Sequence, residues 1–430
     1  MSKKIDIHHI TRVEGHGNIV VNMTDGTIDK VEWQVPEAPR LFEAMVRGRS
    51  WEDLQTVVSR ICGICSISHS LTCIKGIEDA MKIQVSEQTE KLRLLTHYSE
   101  LMQSHVLHLG YLVAPDLLGA KSVVPLVESH FEVVKVIIGL HRIANQWSEL
   151  LAGRTTHPIT LKPGGFSKIP TESELRELHT LLVNIIPDFK TLVSVLLSLA
   201  DKLPDFSRDT EYVALVYPET YAFYHGSIGS TDIQETVPVK EFESVANEYV
   251  SPQSTAKWTR WNRDSYAVGA LARFNLNSAH LTPLALDIAH AFELKSKCTN
   301  PFFNNIAQLV ECAYIVESSL QLIDELLAQG LKHEVPKVKP QAGEGVGCIE
   351  APRGILFHRY AFNEQGICTS ANLCIPTNQN HGNIQKDLEA LVPTIIERSE
   401  DEIRLLMEML VRSYDPCISC STHYLNVEFV

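Results

Sequence analysis

Two pairs of cysteines, each pair three residues apart, are the part of this 430-residue chain best suited to chemistry. The first lies in Arg60-Ile-Cys62-Gly-Ile-Cys65-Ser-Ile-Ser-His69, the second in Asp415-Pro-Cys417-Ile-Ser-Cys420-Ser-Thr-His423. Thiolates at that spacing can point the same way and chelate one soft metal. A histidine follows each pair. Structural zinc is the ordinary alternative. A zinc ribbon, however, puts roughly 15–20 residues between its pairs, whereas 351 separate Cys65 from Cys417. A loop that long gains little from local stapling, so a catalytic metal is the stronger expectation. A thioredoxin-like redox pair is a further alternative, but no βαβ pattern surrounds either motif. The other six cysteines, at 73, 298, 312, 348, 368 and 374, stand alone, and buried apolar thiols are expected for each.

The elements that must bring these pairs together are mostly helical. Near the N-terminus Ile5 and Ile7 alternate with polar neighbours, and GNIVVNM is separated from TIDKVEWQV by Asp25-Gly26, a hairpin turn pair. From about residue 40 the period changes. Leu94, Tyr98, Leu101, His105, His108 and Leu112 share one helical face, and Pro115 is expected to end that helix with Asp116 at its edge. His105 and His108 could suggest another metal, but no third ligand falls at helical spacing, so packing and hydrogen bonding are expected of them. Further helices are expected over 128–150, 173–201, 304–330 and 386–413, the last containing a Ser399–Glu402 capping box. Segments 152–168, 203–235 and 335–380 carry more Gly, Pro and Asn and read as loops with short strands. The fold class expected is mainly α (α+β): one large helical body with an N-terminal β-hairpin and loop-rich β segments.

Composition sets the outer limits. Hydrophobic residues at 44% and charged residues at 21% are globular values. A formal charge of −14 argues against nucleic acid or an anionic membrane as main partner. No run approaches the roughly 18 uninterrupted apolar residues of a membrane span, and no secretory h-region follows Met1, so a cytoplasmic location is expected.

With its neighbours in view, this sequence resembles the large subunits of nickel–iron hydrogenases. Their motifs R-x-C-G-x-C-x-x-x-H and D-P-C-x-x-C-x-x-H both occur without departure. In the same order come TRVEGHGNI at 11–19, RLFEAMVRGR at 40–49, SHVLHLGYLVAPD at 104–116, GRTTHP at 153–158, EAPRG at 350–354 and IPTNQN at 375–380. The flavour is that of the cytoplasmic multisubunit sulfhydrogenase and NAD(P)-linked group. A related complex I chain lacks the four cysteines.

The resemblance implies reversible heterolytic cleavage of H2 at a nickel–iron centre whose iron carries cyanide and carbon monoxide. Cys62 and Cys417 would be terminal on nickel, with Cys65 and Cys420 bridging to iron. Cys420 would take the proton first and Glu14 would carry it onward; without the motif, Glu14 would read as a solvent-facing strand end. Arg353 would polarise H2 and anchor the cyanides, with Pro352 and Thr377 as pocket walls. Asp116 and Asp415 would pair with that guanidinium, and His69 would hydrogen-bond a bridging sulfur. A separate magnesium or iron site would use Glu43, the carbonyl of Leu373 and His423.

Residues 1–423 are expected to form a single domain, and 424–430, Tyr-Leu-Asn-Val-Glu-Phe-Val, a maturation peptide removed once nickel has been inserted. A maturation protease and a nickel chaperone are therefore expected partners. This chain offers no iron–sulfur cysteine spacing of its own, so an iron–sulfur small subunit is expected, with flavin or nucleotide subunits beyond it. Two rivals use the same residues: a hydrogen-sensing regulatory subunit, and a zinc-stabilised scaffold without chemistry.

Overall fold

The computed structural model describes residues 2–25 and 27–423; the expected maturation peptide and Gly26 of the hairpin turn lie outside the described residues. Strands Ser2–Ile7, Asn18–Thr24 and Thr27–Gln34 form an antiparallel sheet in sequence order. Ile5, Ile7, Ile19 and Val21 turn one face of it inward. Trp33 fastens the sheet to the C-terminal part of the chain. Its backbone N–H donates to Gln385 Oε1 (2.7 Å) and its indole N–H to His381 Nδ1 (3.0 Å).

Helices make up the body. The chain is helical over Glu87–Leu107, closed at its start by Ser86 accepting from Thr89 N–H. Pro115 does not stop it. The backbone widens into a π-helical turn over His108–Val113 and continues through Ala114–Leu117. Pro115 there occupies the opening of a fresh turn, where its missing N–H costs no bond. Phe131–Ala152, Glu172–Ser198 and Asn304–Gln329 match the periodic runs within a few residues. The expected 386–413 run is two helices, Pro376–Ile395 and Glu400–Ser413, parted where Ser399 and Glu402 make the capping box. By length and apolarity two helices could cross a membrane, Glu172–Ser198 and Pro301–Gln329, and the second is largely buried in the core.

The 335–380 segment is more regular than its composition suggests. Gly343–Ala351, Gly354–Phe362 and Cys368–Cys374 form an antiparallel sheet that packs on helix Ser66–Met81. Glycines permit the close approach. A Cβ on Gly347 would lie 1.8 Å from the Thr72 carbonyl oxygen, and one on Gly345 2.2 Å from Ala80 N. This contact holds the helix that starts at the first cysteine pair against the strand that leads into the turn carrying Arg353.

Candidate metal centre

Cys62 and Cys65 lie in the turn entering helix Ser66–Met81; Cys417 precedes the short helix Ile418–Ser421 and Cys420 lies within it. Their sulfurs converge. Cys62 Sγ is 3.6 Å from Cys417 Sγ, Cys65 Sγ is 4.0 Å from Cys420 Sγ, and all four lie within 4.8 Å of one another. All four are free thiols, each at most 6% exposed. The N–H groups of Ile64 and Cys65 donate to Cys62 Sγ at 3.2 and 3.0 Å.

Four sulfurs so close cannot all carry charge without a cation. Burial pushes the Cys62 thiol up, but hydrogen bonds from Cys417, Cys420 and Cys65 and the Arg353 charge outweigh it, leaving Cys62 well below the usual range. Its partners' hydrogen bonds push Cys417 well above that range. A soft, thiophilic metal ion would relieve that conflict.

A cysteine that must leave its sulfur free cannot cap the helix it begins. At the first pair that work falls to Glu100, wholly buried, which accepts from Ile67 N–H (2.5 Å), Ser68 N–H (2.8 Å) and the Ser68 hydroxyl. Burial raises the Glu100 carboxyl to about 8, against the pull of those bonds. At the second pair the capping group is Glu14. Its carbonyl accepts from Ile418 N–H (3.0 Å) and its Oε2 from Ser419 N–H (3.1 Å), while Thr377 Oγ1 accepts from Cys417 N–H (3.0 Å). Glu14 is half-buried beside the second motif, not at a solvent-facing strand end.

One residue clamps both loops. Arg40 donates to the carbonyls of Ile61 (2.6 Å), Arg60 (3.0 Å) and Ser419 (3.3 Å), and its own N–H reaches the Thr422 carbonyl (2.5 Å).

A small closed cavity adjoins the sulfurs, bounded by His69, Pro352, Arg353, Thr377 and three of the cysteines. Arg353 donates from Nε to the Asp415 carbonyl (2.7 Å) and from Nη2 to Asp415 Oδ1 (3.1 Å). Its Nη1 is buried without a partner. An orphaned guanidinium N–H beside a cavity is costly unless an acceptor occupies that space. Asp415 holds a left-handed backbone (φ 48°) and also accepts from Gln308 Nε2 (3.1 Å).

Asp116 does not pair with Arg353. Its carboxylate binds Arg12 (2.5 Å) and Arg412 (2.8 and 2.9 Å), tying the N-terminal segment and helix Glu400–Ser413 to the end of the long helix. Asp116 lies in the last turn, Ala114–Leu117, where two arginines from other segments reach its carboxylate. His69 lines the cavity, and the bond at its Nδ1 is to His358 Nε2, 3.1 Å away. His105 and His108 bind Glu311 (2.8 Å) and Gln308 (2.7 Å), as packed, hydrogen-bonded side chains do.

The buried ion network around Arg273 carries no signal in sequence spacing. Arg273 donates to both oxygens of Glu311 (2.6 and 2.7 Å), to Glu350 (3.0 Å), and to the carbonyls of Ala351 and Pro352 (3.0 Å each). It thereby holds the turn that presents Arg353. Burial raises the Glu350 carboxyl to about 7 despite this partner.

Glu43 and His423 meet on the other side of Cys420. His423 Nε2 lies 3.5 Å from Glu43 Oε1 and lacks any hydrogen bond, while its Nδ1 lies 3.2 Å from the Cys420 carbonyl. The Leu373 N–H donates to Glu43 Oε1 (2.9 Å). Burial raises the Glu43 carboxyl, but His423 and the Leu373 bond outweigh that, and the net shift is downward.

The model of the nickel-dependent hydrogenase family matches residues 40–126 and 221–423, and a HoxL-like model matches residues 4–38. The chain belongs to the nickel-dependent hydrogenase family. The alpha chain of sulfhydrogenase 2 from Pyrococcus furiosus is 32% identical over 424 residues, covering 98% of this chain and all of that one. The beta chain of the NAD-reducing hydrogenase HoxS from Cupriavidus necator is 28% identical over 99% of this chain and 96% of its own. A crystal structure of an NAD+-reducing NiFe hydrogenase superposes with a TM-score of 0.90 at 26% identity, covering 98% of this chain and 99% of that one. As a nickel-dependent hydrogenase the protein is an oxidoreductase acting on H2, and its four-cysteine cluster fits a nickel–iron centre. Membership of this family sets aside the zinc-scaffold alternative.

Proposed function

We propose that this hydrogenase cleaves H2 heterolytically and reversibly at a centre held by Cys62, Cys65, Cys417 and Cys420, and passes the electrons to an iron–sulfur small subunit. The observation that carries the reading is the convergence of two sulfur pairs from opposite ends of the chain within 4.8 Å, beside a cavity lined by Arg353, whose Nη1 has no partner. Cys62 and Cys417 would bind nickel, and Cys65 and Cys420 would bridge to an iron carrying cyanide and carbon monoxide. Bound there, the two metals supply an acceptor for the electron pair of H2.

The chain's own residues do the rest. Cys420 sulfur is the first base for the proton. Glu14, whose Oε2 accepts from the N–H of Ser419 next to Cys420, is the carboxylate that would take it onward. Arg353, fixed by Asp415, offers its free N–H to an anionic iron ligand such as cyanide and polarises the bound gas. Thr377 orients Cys417 through its backbone, and Pro352 closes the cavity wall. Glu43 and His423 would hold magnesium or iron, since the orphaned His423 Nε2 and the buried carboxylate suit a cation bound between them.

Relatives named as alpha and beta chains of hydrogenases support assembly with other chains. The partners we propose are the iron–sulfur small subunit, flavin or nucleotide subunits, a nickel chaperone and a protease that removes residues 424–430. We assign the enzyme to the cytoplasm; helix Glu172–Ser198 carries Pro187, Asp188 and Lys190 along its length, against a membrane role for it.

The test is metal analysis with infrared spectroscopy of the purified enzyme, followed by the Glu14→Gln variant. Nickel, iron and bands of bound cyanide and carbon monoxide are expected, and zinc alone would overturn the reading. Glutamine keeps the oxygen that caps Ser419 but cannot relay a proton. Glu14→Gln should therefore retain the metals and lose H2/D2 exchange; unaltered exchange would remove Glu14 from the path.

A further inference from the structure

Behind His69 runs a chain of buried polar groups that the proton path above does not use. His69 Nδ1 lies 3.1 Å from His358 Nε2, and His358 Nδ1 lies 2.8 Å from the Tyr360 hydroxyl oxygen. All three side chains are at most 1% exposed. His358 and Tyr360 stand two residues apart on strand Gly354–Phe362, so both face helix Ser66–Met81, which carries His69. Among the described residues, no carboxylate hydrogen-bonds to any of these three side chains.

A chain of this kind has two self-consistent arrangements, and they leave opposite faces toward the metal centre. In one, the Tyr360 O–H donates to His358 Nδ1, His358 Nε2–H donates to His69 Nδ1, and His69 Nε2 keeps a proton. In the other, every bond is reversed, His69 Nε2 is bare, and the Tyr360 O–H must turn to the Cys73 thiol, its buried neighbour. The first arrangement is favoured at both ends. Imidazole nitrogen is a far better acceptor for a phenol than a neutral thiol is. Nδ1 being occupied, Nε2 is the nitrogen left to the cavity that His69 lines, and a cavity walled by cysteine sulfur calls for a donor.

We infer that Tyr360, acting through His358, fixes the tautomer of His69 so that the ring presents an N–H to the metal centre. Tyr360 and His358 are thus positioning residues that connect His69 to strand Gly354–Phe362, and a donated hydrogen bond from His69 draws electron density from the sulfur it meets. What that bond tunes rests on the nickel–iron reading; the tautomer itself does not.

The two parts are separable by experiment. In the full chain labelled with 15N-histidine, long-range proton–nitrogen spectra, assigned with His69→Gln and His358→Gln, should show both rings protonated at Nε2. Tyr360→Phe removes one oxygen from a buried site without changing its shape. It should convert His69 from a single tautomer to a mixture, and in the holoenzyme it should shift the cyanide and carbon monoxide bands while leaving the nickel content unchanged. A His69 ring protonated at Nδ1 in the parent chain, or one that keeps its tautomer and shifts in a folded Tyr360→Phe variant, would overturn the inference. Absence of cyanide and carbon monoxide bands from the parent enzyme would instead overturn the nickel–iron reading and leave the tautomer result standing.

Discussion

At the scale of single residues, the cysteines do little to hold themselves in place. Cys62 sits in a turn whose carbonyls are gripped by Arg40, and the same guanidinium reaches the Ser419 carbonyl between Cys417 and Cys420. A guanidinium offers several donors in fixed directions, and carbonyls of two loops are what those directions meet. Hydrogen bonds involving a charged group are worth roughly 1.5–3 kcal/mol. Arg40→Met, which keeps an unbranched apolar side chain, is therefore expected to leave the fold intact and lower nickel per chain severalfold, read by metal analysis beside circular dichroism. Full nickel occupancy would show that the clamp is dispensable. The four cysteines were legible in the sequence because their chemistry resides in residue type and spacing. Arg40 and Glu100 were not, because their partners are backbone groups that no spacing announces. Asp116 was given the wrong arginine for a related reason: Arg12 and Arg412 reach it from distant segments, at no spacing that the sequence announces.

Elements place those residues relative to each other. Helix Ser66–Met81 rests on strand Gly343–Ala351 almost backbone to backbone, so Cys65 and His69 at one end of the helix keep register with Glu350 at the end of the strand and Arg353 in the turn beyond it. Gly347 is the tightest point, with the Thr72 carbonyl where its Cβ would be. Gly347→Ala must push the helix off the sheet or strain both, and overpacking of this kind costs about 1–3 kcal/mol or more. The expected result is a lower Tm together with reduced nickel binding; a wild-type Tm would mean the sheet yields freely. The Arg273 network makes the complementary prediction. Glu311→Gln leaves Arg273 and His105 short of their charged partner, and breaking a buried pair costs about 3–5 kcal/mol. Chemical denaturation should show a loss of that order, whereas a loss as small as that of a surface pair would mean that water or Glu350 compensates. Helix positions were readable from period, since long amphipathic runs repeat the same signal. The sheet of Gly343–Ala351, Gly354–Phe362 and Cys368–Cys374 was legible only as short strands among loops, since its glycines, which weigh toward loop in composition, serve close packing.

Across the whole molecule, the two chain ends must be brought together around one site. Closing so long a loop costs little more than closing a shorter one, because the entropy grows only with the logarithm of length. What is needed is a lock. Trp33 in the N-terminal sheet donates to His381 Nδ1, and His381 Nε2 lies 2.9 Å from the Ser421 hydroxyl beside Cys420. An indole N–H can only donate, so His381 Nδ1 must be bare and the ring neutral. Burial drives His381 down to about 3, and burial likewise lowers His97 to about 3, where Nε2 lies 2.8 Å from the Glu350 carbonyl and Nδ1 has no partner. In the unfolded chain both rings take up a proton near pH 6.5; in the folded protein they do not until about pH 3. Their contribution to stability is complete above pH 6.5 and is lost as the pH falls toward 3, at up to about 1.4 kcal/mol per pH unit for each ring. Denaturation measured between pH 7 and pH 5 should show this decline. His381→Gln, whose amide can accept from Trp33 and donate to Ser421 but cannot titrate, should flatten the slope by about one ring's share. An unchanged slope would show that the joining of the chain ends does not depend on a neutral His381.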